Sequence, residues 1–422
     1  MKKLTHYYSK WILISTLVGV SCGIASAIFL ASLDWVTTTR QNHTWLVYCL
    51  PIGGLLIGWL YQKDGRNSDR GNNLLIDEFH DPKEVVPLVM APLVYFGTLA
   101  THLFGGSAGR EGTAVQMGGS IADQIGRWFK IDRDERRTLL MAGMSGGFAS
   151  VFGVPFAGTI FGIEVLFIGR LHLWALIECA ISAFIGHFVT LKLGIHHTEY
   201  FHPPILTMSW PRLVNALVAG VIFGLAARAF SGLSHLINRI SKLQLPNLPI
   251  RAAVGGALLS LVYFLKPVMI RYAGLGVPII VQSIKSPIPS SDWYMKLLFT
   301  AFTLGVGFKG GEVTPLLFIG GALGNALGSF SFLQPMLPLP NLAAMGLVAV
   351  FAGAANTPIA CTLMAAELFG PDITLFAAIA CFASYAVSGR SGIYQSQPIS
   401  HFSMPKRFLD FFRFLFRKPP LK

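Results

Sequence analysis

The chain has 422 residues, 53% of them hydrophobic and 13% charged, and a formal net charge of +13. A soluble globular domain carries about a quarter of its residues as charges, so this composition excludes one. The positive excess does not point to nucleic acid either. It gathers at Lys2, Lys3 and Lys10 at the start and at Lys406, Arg407, Arg413, Arg417, Lys418 and Lys422 at the finish, where the positive-inside rule expects it on the cytoplasmic ends of a membrane protein.

In chain order, apolar runs cover 11–33, 45–60, 85–103, 173–193, 213–236 and 252–265. Several reach the roughly 20 residues that a helix needs to cross a hydrocarbon core. The expected class is all-α and polytopic, in the inner (plasma) membrane, with both termini cytoplasmic. The first run is long and no small-x-small cleavage site follows it, so it reads as a retained span. Cys22, Cys49, Cys179, Cys361 and Cys381 all lie in apolar runs without metal-ligand spacing, which predicts core packing and no metal. The tail LDFFRFLFRKPPLK alternates bulky apolar and basic residues, a pattern suited to lying on anionic lipid.

Two halves of the chain match at a nearly constant offset. Val18-Gly19-Val20 answers Ala219-Gly220-Val221 at 201, and Gly53-Gly54 answers Gly255-Gly256 at 202. The stretch from Gly109, GREGTAVQMGGSIADQIG, answers GEVTPLLFIGGALGNALG from Gly311 at 202. Val154-Pro155 before Glu164 answers Thr357-Pro358 before Glu367 at 203. The expected organisation is a cytoplasmic N-terminus at 1–10, one transmembrane repeat at 11–208, a second at 209–397 and a basic cytoplasmic tail at 398–422. An odd number of crossings per repeat turns the second upside down. The basic residues Arg239, Lys242 and Arg251, taken as a mid-chain linker, then fall outside, against the usual bias.

The matched stretches 114–125 and 316–327 read as helices too short to span, each opened by glycine. Interrupted helices at equivalent places in two repeats point to a binding site at the bilayer midplane. Their N-termini carry unpaired N–H groups and partial positive charge, so they attract anions. Glu111 stands where such an anion belongs. Ionised, it holds the place itself; protonated, it is neutral and free to leave. The other reading is a capping glutamate in an interfacial loop. Arg110 beside it snorkels to the surface or draws anions to the mouth.

These residues resemble the CLC family of chloride channels and anion/proton antiporters, over nearly the whole chain. GREGT at 109–113 is similar to the family's gating-glutamate motif, and Gly311-Glu312-Val313-Thr314-Pro315 to its second anion-binding motif, where Phe is more usual than Val313. Gly71-Asn72-Asn73-Leu74 falls where the family has a GSGIP-like sequence, and Tyr394 where a central anion-coordinating tyrosine is expected. The resemblance implies inverted repeats with re-entrant helices, a gating and proton-carrying role for Glu111, and an anion site formed by Gly109, Arg110, Gly112, Asn72, Asn73, Gly311, Val313, Thr314 and Tyr394. It also implies a homodimer with one pore per subunit and no cofactor.

Two departures narrow it. Asn72 replaces the usual serine, and Val165 stands where chloride/proton antiporters have a second, proton-relaying glutamate. RGNNL, GREGT, GGEVTP and the missing relay together resemble the fluoride/proton antiporter branch. Fluoride is small and strongly hydrated, and an amide offers it more donors than a hydroxyl. The expected partners are fluoride, or chloride, with protons and membrane lipid. Plainer uses remain for each residue: a helix cap for Asn72 and Asn73, a helix start for Thr314-Pro315, an interfacial belt for Tyr394. Glu164 and Glu367 read as paired structural contacts, Glu312 as shaping anion entry or facing solvent, and the eleven histidines as loop residues. The rivals are a chloride-selective channel or exchanger of the same family and, more remotely, a membrane-embedded enzyme or a purely structural protein. No HExxH, GxSxG or paired-aspartate motif supports the enzyme.

Overall fold

The computed structural model describes residues 2–83, 85–329 and 337–399, without the side chains of 2–8 and 66. The basic tail, from residue 400 on, and the Lys2 and Lys3 side chains lie outside the described residues. The first half forms α1 (Lys2–Asn42), α2 (Leu50–Asp64), α3 (Asn72–His80), α4 (Met90–Leu103), α5 (Glu111–Trp128), α6 (Arg133–Phe152), α7 (Pro155–Glu164) and α8 (Leu176–Lys192). The second half repeats that order as α9 (Trp210–Gln244), α10 (Leu248–Leu265), α11 (Val277–Lys285), α12 (Asp292–Gly305), α13 (Val313–Gly328), α14 (Leu339–Ala355), α15 (Pro358–Phe369) and α16 (Thr374–Ser388). Helices long and apolar enough to cross a membrane fall three in each series, on α1, α2 and α8 and on α9, α10 and α16.

The repetition extends to the stops and starts. α6 ends on Gly153 and α14 on Asn356, both left-handed (φ 87° and 59°), and α7 and α15 then begin on Pro155 and Pro358. A left-handed residue closes a helix cheaply when it is Gly or Asn, and proline suits a first turn. The helix pairs α5–α6 and α13–α14 pack backbone to backbone. A Cβ on Gly118 would lie 2.2 Å from the Gly143 carbonyl, and one on Gly320 2.0 Å from that of Gly346. Small residues allow such approach between membrane helices.

Glu164 and Glu367 show the symmetry most directly. The Glu164 carboxylate, at the end of α7, accepts from the Ile359 and Ala360 N–H groups at the start of α15 (3.0 and 2.8 Å). The Glu367 carboxylate, at the end of α15, accepts from Phe156 and Ala157 at the start of α7 (2.9 and 2.8 Å). Each satisfies two of the orphan donors of the other's helix, which is the paired structural contact expected of them.

The two series run in opposite senses. α1 delivers Arg40 to a cavity of about 1020 Å³ that Arg110 also lines. α9 delivers Lys242 to a second cavity, of about 370 Å³, lined by Asn72 and Tyr394. The α1 start lies on the side of this second cavity: Lys10 pairs with Glu135 at the head of α6 (2.6 Å), where Arg136 pairs with Glu78 of α3 (3.0 Å). Arg239, Lys242 and Arg251 are therefore no linker between repeats. They belong to the end of α9 and the start of α10, on the same side as the chain's N-terminus, and the conflict with the positive-inside bias disappears.

Three further expectations need correction. α5 is 18 residues long, about 27 Å at 1.5 Å per residue, because the helix continues through Gly112 and Gly126 at the two ends of the expected stretch. Of the run 85–103, only Met90 onward is helical. Several histidines are helical rather than in loops: His102 is buried within α4, His187 lies in α8 and His235 in α9. A neutral imidazole packs like any aromatic ring, and His187 stacks on His197 at 5.5 Å. The cysteines are free, and all but Cys49 are buried.

Candidate functional site

The starts of α5 and α13 meet head to head. Gly109 and Gly311, one residue before each helix cap, exchange both backbone hydrogen bonds (2.6 and 2.8 Å). Only glycine fits there. A Cβ on Gly109 would lie 2.8 Å from the Gly311 carbonyl, and one on Gly311 2.7 Å from the Gly112 nitrogen. Neither cap residue, Arg110 or Glu312, closes its own helix with a side-chain hydrogen bond, so the first N–H groups of two helices are left to other acceptors across a short gap.

Glu111, the first residue of α5, is fully buried and reaches across to α13. Its Oε2 accepts from the Thr314 N–H (3.1 Å) and the Thr314 hydroxyl (2.6 Å). Arg110 Nε stands 3.4 Å from its other oxygen. The carboxylate thus occupies the electropositive end of the opposite half-helix, the place an anion would take. Glu111 is a ligand of α13, not a cap of its own helix in an interfacial loop. Val313 is buried and contributes backbone alone, as do Gly109, Gly112 and Gly311.

The remaining predicted residues divide between the two cavities. Arg110 lines the larger one, together with Arg40 and Arg271. Asn72, Asn73 and Tyr394 line the smaller one, together with Glu312. Asn72 is the first residue of α3, set by Gly71 at φ 58°. Its side-chain amide nitrogen lies 3.3 Å from where a Cβ on Gly112 would stand, and its Oδ1 is buried without a hydrogen-bond partner. The Tyr394 hydroxyl is likewise buried, and neither atom has a hydrogen-bond partner among the described residues. Buried polar atoms left unpaired are costly, and these two face a cavity that a small polar ligand would fill. Asn73 Oδ1 accepts from the Ser396 N–H (3.0 Å), so it fastens the Tyr394 segment to α3. Neither Asn caps α3 through its side chain.

Sequence reasoning missed Gln116, Asp69 and Lys309, all on the smaller cavity. Gln116 had no readable signal, since its five-residue distance from Glu111 on α5 does not share a helix face; its amide nitrogen lies 3.3 Å from where a Cβ on Gly71 would stand. Lys309 and Asp69 pair with each other across 240 positions, which no local pattern announces. Val165 is buried, and the Gln397 amide donates to its carbonyl (2.6 Å).

Comparisons with known proteins give the family and the fold. The profile of the voltage gated chloride channel family matches residues 53–389. A chloride/fluoride channel protein of Pseudomonas syringae pv. tomato is 47% identical over 405 residues, 94% of this chain and 88% of the relative. An H(+)/Cl(-) exchange transporter of Vibrio vulnificus is 27% identical over 388 residues, 84% of this chain and 81% of the relative. Among solved structures, a CLC-type fluoride/proton antiporter superposes with a TM-score of 0.88 at 36% identity, covering 93% of this chain and 98% of that one.

Proposed function

The chain belongs to the voltage gated chloride channel family, a family of anion channels and anion/proton transporters, and from that premise we propose that it exports fluoride in exchange for protons. The observation that carries this reading is the seat of Glu111 on the N-terminus of α13, held by both donors of Thr314. A hydrogen bond to a charged group contributes about 1.5–3 kcal/mol. Protonating the carboxylate weakens two such bonds and removes its attraction to the helix end, a loss of a few kcal/mol, or roughly two orders of magnitude in occupancy. The neutral acid then leaves and an anion takes the same donors. The carboxylate and the anion compete for one place, and the proton decides which holds it, which is what couples the two.

On this reading the anion passes between the two cavities with Glu111 at the divide. The Asn72 amide and Tyr394 hydroxyl meet it on one side, the backbone amides beginning at Gly112 and Val313 receive it at the centre, and Arg110 stands on the other side. Thr314 serves twice, as the partner of the gate and as the donor its departure frees. The names of the Pseudomonas relative and of the superposed antiporter support fluoride. So do Asn72 in place of serine and Val165 in place of a relay glutamate. The side with Lys10, Asn72 and Lys242 is assigned to the cytoplasm, by its excess of basic residues, and residues 11–208 and 209–397 to the two repeats. The chain is then a multi-pass transporter of the inner membrane rather than an enzyme. It sits in lipid through faces such as Trp35, Trp210 and Phe264 and pairs with a second copy.

The test is fluoride and chloride efflux from proteoliposomes with pH recorded. Fluoride efflux with matched proton uptake supports the reading. Chloride flux equal to fluoride flux returns the protein to the chloride-selective alternative, for which the 27% identical Vibrio exchanger is the precedent.

A further inference from the structure

The smaller cavity holds a charge cluster that the transport scheme above does not use. Lys309 lies two residues before Gly311, in the turn where Gly307 (φ 111°) and Gly310 (φ 155°) bring the chain into the pore motif. Its stem packs on Gly97 of α4, and its ammonium sits 4.2 Å above the Tyr61 ring. That ammonium pairs with Asp69, three residues before Asn72. Lys242, from the end of α9, and Arg251, from α10, line the same cavity. Arg251 is 5% exposed. One guanidinium nitrogen donates to the Leu245 and Pro246 carbonyls (3.2 and 3.4 Å), while its Nε is buried without a partner.

Three cations from three separate elements therefore surround one carboxylate. The Lys309 ammonium holds the Asp69 carboxyl below the usual carboxylate range, against the opposing effect of burial and with help from Lys242 and Arg251. Arg70, the fourth cation lining the cavity, is already matched by Asp77, and Glu312 stands at the deep end next to Gly112. Asp69 and Glu312 together do not balance the other three. A cavity with low-dielectric walls and surplus positive charge raises the local concentration of a mobile anion.

We propose that Lys309, backed by Arg251 and Lys242, is a docking station for the transported anion on the Asn72 side, and that Asp69 is a tethered competitor resident in it. The inference rests on the anion-transport reading above and adds to it the place where the anion is captured before it meets Asn72. The carboxylate of Asp69 stands to Lys309 as that of Glu111 stands to Thr314: a fixed anion holds a site that a mobile one must win.

The alternative is a plain tether, in which the Asp69–Lys309 pair only ties the 309–315 turn to the start of α3. The two ideas predict different signs. As a tether, Lys309→Met and Asp69→Asn break the same bond and act alike. As a station with a competitor, they act oppositely. The experiment measures fluoride flux against fluoride concentration on the Asn72 side, in proteoliposomes of uniform orientation. Lys309→Met is expected to raise the half-saturating concentration about five- to tenfold with the maximal rate within about twofold. Asp69→Asn is expected to lower it by about threefold, and Lys309→Arg to stay near the parent. Movement of both neutralising variants in the same direction overturns the proposal, as does an unchanged half-saturation in Asp69→Asn. If Lys309→Met does not elute as folded protein, the Asp69→Asn arm decides alone. A parent protein that carries chloride and not fluoride refutes the fluoride reading instead, and the same pair is then scored with chloride.

Discussion

The beginnings of α5 and α13 are the same structural idea written with different residues. At an offset of 202, Arg110 answers Glu312, Glu111 answers Val313, and Gly112 answers Thr314. Each helix starts without a side-chain cap, and each follows a glycine bridged to its counterpart. The first half places a titratable acid where the second has an inert valine. The second places a hydroxyl where the first has only hydrogen. The acid of one half therefore rests on the donors of the other, and duplication followed by divergence has turned a symmetric gap into a directional one.

The comparison is broken most severely by Glu111→Gln. The amide cannot carry the proton, and loss of a positioned proton carrier costs on the order of 10²-fold or more. Proton uptake coupled to fluoride efflux should fall by that much, and coupled uptake that survives ends the gating role. A sharper version moves the acid across, as Glu111→Val with Val313→Glu. The relocated carboxylate would face Gly112, which offers an N–H but no hydroxyl, so coupled flux should stay below about a tenth of the parent's. Thr314→Val isolates the hydroxyl. With one of two charge-assisted bonds gone, at about 1.5–3 kcal/mol, the gate is held less firmly, and fluoride efflux unaccompanied by proton uptake should rise by about tenfold.

Asn72→Ser tests the cavity side. It should leave coupling intact and change the fluoride-to-chloride flux ratio by about tenfold, the size of one lost polar contact. The smallest effect belongs to the symmetric pair far from the gap. Glu164→Gln and Glu367→Gln should each lower stability by about 1 kcal/mol, in the range of lost helix caps, read as thermal unfolding in detergent. The two should be similar, since each makes the same pair of bonds.

The gap was legible in the sequence because it occurs twice. GREGT and GEVTP at one offset match Glu111 with Val313 and Gly112 with Thr314 from the sequence alone, and glycine before each helix signals close backbone approach. The reciprocal roles of Glu164 and Glu367 were legible for the same reason. What lies outside the repeat was not. The length of α5 was underestimated because the glycines flanking 114–125, Gly112 and Gly126, read as its limits, when both lie inside the helix. Arg239, Lys242 and Arg251 were misplaced because hydropathy does not show where α9 ends: the apolar run stops at 236 and the helix at Gln244. Asp69 and Lys309 come together only through the fold, from opposite halves. The histidines went wrong because side-chain type alone does not distinguish a buried ring in α4, as at His102, from one in a loop.

The double hydrogen bond between Gly109 and Gly311 also limits how the machine can move. It welds the halves at their midpoint, with no slack that a swinging bundle would need. Rocker-type alternation, in which one half pivots against the other on a microsecond to millisecond scale, would have to tear that weld at every cycle. A single side chain with three rotatable bonds can change places without disturbing it. Exchange by such a swing calls for a nearly rigid scaffold, so locking the halves together with a crosslink remote from the gap should leave turnover running.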